Sequence, residues 1–368
     1  MESLFLFTVC QVGAEKALKE EVAHDYPDLR FAFSRPGFVT FKSLSKPLAD
    51  EFELRSVFAR AYGLSMGRKI TDTTDQARVD SIVKEAREVF QAAANPPRKL
   101  RLHIFERDLY VPGEEAQDYQ PGLRAGALER AVRQHPEAQD LFHTESEAQV
   151  GDPVLDLIGV EENEWWVGFH RHTATHSPVP GGRWKIILPP EAPSRAYLKL
   201  EEALRWSGAP IRSGDGAVEI GSAPGGASYA LLQRGVDVIG IDPGAMDPVV
   251  LNFKGPARFY HEARSVTVIR REELPESVQW LLVDMNTGPD TAIYPLERFA
   301  IRMQDSLLGV VMTLKLNEWS FAQHIPNWLE RIRKMGMARV RATQLPHNRR
   351  EICVVGLTRM GVARLKNN

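Results

Sequence analysis

The segment Ala217-Val218-Glu219-Ile220-Gly221-Ser222-Ala223-Pro224-Gly225-Gly226 restricts the possible folds of this chain more than any other: a short apolar strand breaks into a glycine-rich turn and continues as a helix. Glycine lets the backbone turn sharply and approach a ligand with no Cβ in the way. Asp242 follows 21 residues after Gly221, at the end of the next apolar run, Val236 to Ile241. In an open α/β sheet a carboxylate at that point accepts the hydroxyls of an adenosine ribose. A tight βα turn without a ligand would need no such acid.

The turn reads G-S-A-P-G-G, without the second glycine that lets a pyrophosphate come close in the dinucleotide fingerprint, and without the G-K-[ST] ending of a P-loop. S-adenosylmethionine is the better chemical match, because it carries no phosphate and needs only a loop passing under its methionine portion.

With 368 residues the chain has room for about two domains. Between Met1 and about His172 strands and helices mix. Leu4 to Cys10 and Gly37 to Phe41 read as strands, Glu15 to Ala23 and Asp75 to Ala94 as helices, the second closed by Asn95-Pro96-Pro97. Leu100 to Phe105 resumes a strand, and Val154 to Val160 with Trp165 to His170 read as a hairpin. This half is expected to be α+β, spanning 1–175. Residues 176–193 are rich in proline and glycine and read as a linker.

From 194 to 368, helices Ser194 to Trp206, Gly226 to Gln233 and Phe321 to Met335 alternate with apolar runs at Ala217 to Ile220, Val236 to Ile241, Trp280 to Val283 and Leu308 to Leu314. Near-continuous apolar runs suit strands buried on both faces, so a parallel, doubly wound, Rossmann-like α/β sheet is expected.

Four polar residues fall where ligand chemistry belongs in such a sheet. Asp284 and Lys315 end apolar runs, and sites lie outside the carboxyl ends of the strands. Lys199 sits early on the helix preceding the glycine turn, and Glu351 opens the last strand, Ile352 to Val355. Taken singly, each could be a solvated charge; as an ordered set beside the loop they point to methyl transfer.

The strings S-R-A-Y-L-K-L-E-E (Ser194 to Glu202) and G-S-A-P-G-G, with Lys199, Asp284, Lys315 and Glu351 in that order, resemble the FtsJ-type RNA ribose 2′-O-methyltransferases. The similarity is dense from about Pro190 to Val355. It is closest to the bacterial members that methylate a cytidine of large-subunit (23S) ribosomal RNA, and the string Val57-Phe58-Ala59-Arg60 extends it toward the N-terminus. The resemblance implies a class I methyltransferase domain at the C-terminal end, a THUMP-type RNA-binding region before it, and S-adenosylmethionine as cofactor. It further implies that Lys315 accepts the proton, with Lys199, Asp284 and Glu351 as companions. Ser194, Gly221, Ala223, Pro224, Gly225, Gly226, Asp242 and Asp284 fall on cofactor-contacting positions. Ala263 stands where the family carries an aspartate, so an adenine contact would pass to Glu262, and Ala227 replaces a usual aromatic.

The chemistry asks for these residue types. A ribose hydroxyl is a weak nucleophile at neutral pH, so it must be aligned and relieved of a proton, whereas a lysine at its ordinary pKa of about 10.4 is itself protonated. Burial and Lys199 would favour a neutral Lys315, while Asp284 and Glu351 pull the other way. Two rival readings remain at this point: the same cofactor with a base or small-molecule acceptor, and a non-catalytic RNA-binding assembly factor.

Formal charge is only −2, yet from Arg331 onward ten lysines and arginines face one acid, a local excess of +9. That excess, and a cluster of Arg98, Lys99, Arg101 and Arg107 interleaved with His103 and Phe105, are candidate RNA-binding patches. His170, His172 and His176 lack the cysteine or acidic company of a zinc site and are expected to be exposed or to contact RNA. Trp165 and Trp166 are expected to pack the hairpin, and Cys10 and Cys353 to be buried thiols. No metal is expected. Two cysteines and no apolar run near the ~20 residues of a membrane span suit a cytoplasmic protein.

Overall fold

The computed structural model describes residues 1–70, 75–92, 99–110 and 123–367, so the expected turn Asn95-Pro96-Pro97 and Arg98 lie outside the described residues. The chain divides into two compact units, Met1–Arg183 and Trp184–Asn368.

Among the described residues, the first unit is built on a seven-stranded sheet. Its strands are β1 (Phe5–Val9), β2 (Leu29–Arg35), β3 (Phe38–Ser43), β4 (Ala61–Ile70), β5 (Arg101–Glu106), β6 (Pro153–Glu161) and β7 (Glu164–Arg171). They lie in the order β2-β3-β1-β4-β7-β6-β5, antiparallel throughout except for β5 on β6. Leu102 and Ile104 of β5 pack with Val79, Ile82 and Leu128, which places helices α2 (Asp75–Ala92) and α3 (Leu123–Gln134) on that face; helix α1 (Glu15–Asp25) precedes them in the chain. The alternate residues, His103 and Phe105, are buried too, because Phe105 packs against Gly181 on the other face.

A turn at Pro180–Gly182 closes this unit. Arg60 of β4's approach donates to the Gly181 carbonyl at 2.8 Å and binds Asp108 with both guanidinium arms, at 2.7 and 3.1 Å. Two fully partnered buried charges of this kind cost little, whereas removing either one would strand the other.

The second unit carries a seven-stranded sheet with strands β8 (Gly216–Ile220), β9 (Asp237–Ile241), β10 (Phe259–Glu262), β11 (Trp280–Val283), β12 (Gly309–Lys315), β13 (Met337–Thr343) and β14 (Glu351–Thr358). Their order is β10-β9-β8-β11-β12-β14-β13, parallel from β10 to β12, with β14 antiparallel to both its neighbours. The chain therefore changes direction across the sheet between β8 and β11, the switch point at which open α/β sheets bind ligands. Helices α4 (Ala196–Ser207), α5 (Gly226–Gln233), α6 (Pro289–Ala300), α7 (Ile325–Lys334) and α8 (Arg359–Lys366) accompany this sheet. The helix expected over Phe321 to Met335 divides into a 3-10 stretch, Trp319–His324, and α7, with Pro326 in the first turn of α7 where a missing N–H is harmless.

Candidate active site

Three of the four polar residues stand at the ends of strands, and Lys199 lies in the first turn of α4. Val310 to Leu314 of β12 are buried on both faces, and Lys315 is the first side chain to emerge. Asp284 follows the fully buried Trp280–Val283 in the same way. The apolar side of α4, through Leu200, Ala203 and Leu204, packs into the core and turns Lys199 toward the strand ends.

There the four side chains close into a ring. Lys199 Nζ is 3.2 Å from Asp284 Oδ2 and 2.8 Å from Glu351 Oε2; Lys315 Nζ is 3.3 Å from Asp284 Oδ1 and 2.5 Å from Glu351 Oε1. Each amine thus bridges both carboxylates, and the formal charges cancel. Burial pushes the Glu351 carboxyl up, but the two ammonium groups outweigh it and hold its pKa below the usual value. For Lys315, burial pushes down, and the Asp284 and Glu351 carboxylates outweigh it, so its pKa is raised. The resting ring therefore keeps Lys315 protonated.

The glycine turn lies against this ring. A Cβ on Gly221, at φ 81°, would come within 2.6 Å of the Asp284 carbonyl oxygen, so only glycine allows β8 and β11 to end side by side here. Gly225 takes φ 114° at the start of α5, and the Ala223-Pro224 peptide is cis. Ser194 Oγ accepts from the Ala196 amide at 3.3 Å and lies against Gly226, where a Cβ would collide with it. Asp242, ending β9, accepts from the amides of Ala223 at 3.2 Å and Gly244 at 2.7 Å. A carboxylate has about four acceptor positions, so two remain for a ribose diol. The residues fit S-adenosylmethionine in donor type and placement. The Glu262 carboxylate is 2.6 Å from Arg264 Nε and has an ion partner of its own. Ala227 is buried.

A cavity of about 30 Å³ beside the ring is lined by Lys199, Glu219, Ala227, Asp284, Thr313 and Asn348, among others. Burial pushes the Glu219 carboxyl up to about 8, against the hydrogen bond from Ser228. Its place inside an apolar strand hid it in the sequence. Glu202 was also missed, although it lies three residues beyond Lys199 and helical spacing puts the two on neighbouring faces.

A family model described as FtsJ-like methyltransferase matches residues 192–317. That stretch is similar to FtsJ-like methyltransferases. The protein is a methyltransferase whose methyl donor is S-adenosylmethionine. The match takes in Lys199, the glycine turn, Asp242, Asp284 and Lys315, while Glu351, which pairs with both lysines, lies beyond it. The chain is 25% identical to the ribosomal RNA large subunit methyltransferase M of Yersinia pestis (strain Pestoides F), covering 94% of this chain and 93% of the relative. The protein of the same name from Yersinia pseudotuberculosis serotype O:1b (strain IP 31758) matches equally. Among solved structures, TrmN from Thermus thermophilus superposes with a TM-score of 0.33 at 14% identity, covering 96% of this chain and 99% of that one, too loose a likeness to carry weight.

Two expected surface features are corrected. Among the described residues the cluster around β5 is not a solvent-facing basic edge: His103, Phe105 and Arg107 are buried. Arg107 binds the Val160 carbonyl and Glu161, and Arg101 is 2.7 Å from Asp152. His170, His172 and His176 are buried together rather than exposed, His170 stacked on His176 at 4.3 Å and bound to Asp156 at 2.6 Å. Among the described residues no group of three or more His, Cys, Asp or Glu is arranged to hold a metal ion. Trp165 is buried and Trp166 stacks on Phe33 at 5.4 Å. Both cysteines are buried, and burial raises both thiol pKa values. Part of the C-terminal basic excess is internally paired, Arg331 with Glu297 and Asp290, Arg364 with Asp215, while Arg349 and Arg350 are exposed beside Glu351. No described helix is long and apolar enough to cross a membrane.

Proposed function

We propose that the protein methylates a ribose 2′-oxygen of large-subunit ribosomal RNA, on a cytidine, in the cytoplasm. The observation that carries this reading is the closed ring of Lys199, Asp284, Lys315 and Glu351 beside the glycine turn at the switch point of the sheet. S-adenosylmethionine, when bound, supplies a methyl group activated by its sulfonium. Ser194, the Gly221–Gly226 turn and Asp242 hold it. Lys315, once neutral, would accept the proton that the 2′-hydroxyl gives up on methylation. Asp284 and Glu351 aim the amine, and Lys199 balances their charge.

Residues 1–175 serve as a THUMP-type RNA-binding region, 176–193 as the linker and 194–368 as the catalytic domain. The α+β sheet of the first unit and the match to large-subunit methyltransferases over 94% of the chain support this assignment. Mapping 2′-O-methyl groups in large-subunit RNA from cells with and without the protein tests it. One methylated cytidine should vanish; an unchanged map would move the acceptor elsewhere.

A further inference from the structure

Glu202 is fully buried on α4, one helical turn past Lys199. A buried carboxylate is costly unless its lone pairs are taken. Here both oxygens turn to one residue on another segment. Glu202 Oε2 accepts the His347 backbone N–H at 2.9 Å, while Oε1, which has no hydrogen bond of its own among the described residues, lies 2.7 Å from His347 Nδ1.

His347 belongs to the turn that leads from β13 into β14, and that turn is held at every step. The Leu345 amide donates to Asn348 Oδ1 at 2.9 Å, and Gln344 Nε2 to the Arg349 carbonyl at 3.0 Å. The Leu316 amide, next to Lys315, donates to the Arg350 carbonyl at 2.7 Å. The turn buries Gln344, His347 and Asn348, leaves Arg349 and Arg350 exposed, and delivers Glu351 opposite Lys315. Lys199 is on the helix that Glu202 belongs to, and Glu351 is on the strand that His347 precedes. One buried contact therefore joins the two elements of the ring that the parallel sheet does not join.

We infer that Glu202 and His347 form a positioning clamp that sets Lys199 and Glu351 in register across the ring and holds the Arg349–Arg350 turn beside the acceptor. The inference rests on the ring's role in ribose methylation. Neither residue touches the reacting atoms; both act through the ring.

The test uses the full chain with deproteinised large-subunit ribosomal RNA from cells lacking the protein. Glu202→Ala should slow single turnover by about tenfold to a hundredfold at saturating RNA and cofactor, as expected when a catalytic group is displaced by about an ångström. S-adenosylmethionine affinity, measured by calorimetry, should hold. Glu202→Gln should recover most of the rate, because an amide oxygen still accepts the His347 N–H. In Glu202→Ala the rise of rate with pH should also start at lower pH, because Lys315 loses part of its hold on Glu351. His347→Ala keeps the backbone contact and should lose less, which serves where Glu202→Ala folds poorly. The clamp is refuted if Glu202→Ala and His347→Ala turn over at the parental rate, or if rate falls only with the folded fraction and glutamine restores nothing. The ribose assignment is tested separately by the parental product: a methyl group on a base overturns that assignment without reference to the variants.

Discussion

Lys315 and Glu351 are directly opposed partners in the antiparallel β12–β14 ladder, and their side chains meet with Nζ 2.5 Å from Oε1. The register that pairs Val310 with Gly356 and Met312 with Val354 thus also fixes how Lys315 faces Glu351. A slip of one residue would turn Glu351 to the other face of the sheet and open the ring.

That pairing sets the pH dependence. Burial alone would lower the Lys315 pKa, but Asp284 and Glu351 outweigh it and raise it above the ordinary lysine value. The neutral amine is therefore the minor form at neutral pH, and its share grows about tenfold per pH unit below the pKa. Single-turnover methylation between about pH 7 and 9 should rise with a log–log slope near one. A flat profile would mean that no group with a raised pKa must lose a proton before the transfer.

Asp242→Ala should weaken S-adenosylmethionine binding at least tenfold by calorimetry. Hydrogen bonds to a charged acceptor are worth about 1.5 to 3 kcal/mol each. The same carboxylate also holds the Ala223 and Gly244 amides, so the glycine turn should loosen with it. Unchanged affinity would remove Asp242 from the cofactor site.

The ends of β11 and β12 were legible in the sequence because an apolar run buried on both faces exposes its first polar side chain at a definable point, and Asp284 and Lys315 are those residues. The β5 surface was not. Arg101, His103 and Arg107 alternate like a solvent-facing basic edge, yet their partners Asp152, Asp156 and Glu161 come from the hairpin about 50 residues later. Alternation reports which side chains share a face; it does not report whether that face is covered. Glu202 was illegible for the same reason, since its partner His347 lies 145 residues away.

Arg349 and Arg350 stand exposed next to Glu351. Replacing both with glutamine should weaken RNA binding and flatten its salt dependence, by about 0.9 in log–log slope for each lost phosphate contact on a duplex and about 0.7 on a single strand. Cofactor affinity should stay as it was. A parental salt slope would show that the turn faces bulk solvent in the complex.

The buried histidines make the first unit acid-sensitive. Burial first, then the neighbouring His170, lowers the pKa of His172 to about 4 and of His176 to about 2. Both stay neutral in the folded unit but take up protons near pH 6.5 once unfolded. Depressed values of this kind cost nothing above pH 6.5, and stability falls steadily below it as the unfolded chain binds more protons. Hydrogen exchange at the amides of β6 and β7 should accelerate between about pH 6.5 and 4 beyond the intrinsic trend. His176→Asn, which keeps an acceptor for the Thr173 amide, should reduce that acceleration. Exchange protection in the parent that stays constant over this range would show that the cluster takes up protons without opening.

Lys315 separates methylation of a hydroxyl from the non-catalytic rival, because a hydroxyl oxygen needs a proton acceptor at this position and an assembly factor does not. Lys315→Ala should leave S-adenosylmethionine binding nearly intact, since the proposed cofactor contacts lie in the glycine turn and at Asp242, yet slow methyl transfer by about 10²-fold or more. The substitution also leaves Asp284 and Glu351 with one amine, Lys199, between them. Lys315→Arg restores the missing positive charge. If the role of Lys315 were to neutralise the two carboxylates, arginine would recover activity, but a guanidinium stays protonated at any workable pH and accepts nothing. The arginine variant should therefore bind cofactor and RNA and still fail in single turnover, with no gain from raising the pH. Methylation at the parental rate by Lys315→Arg would reduce Lys315 to an electrostatic helper and leave the proton to solvent.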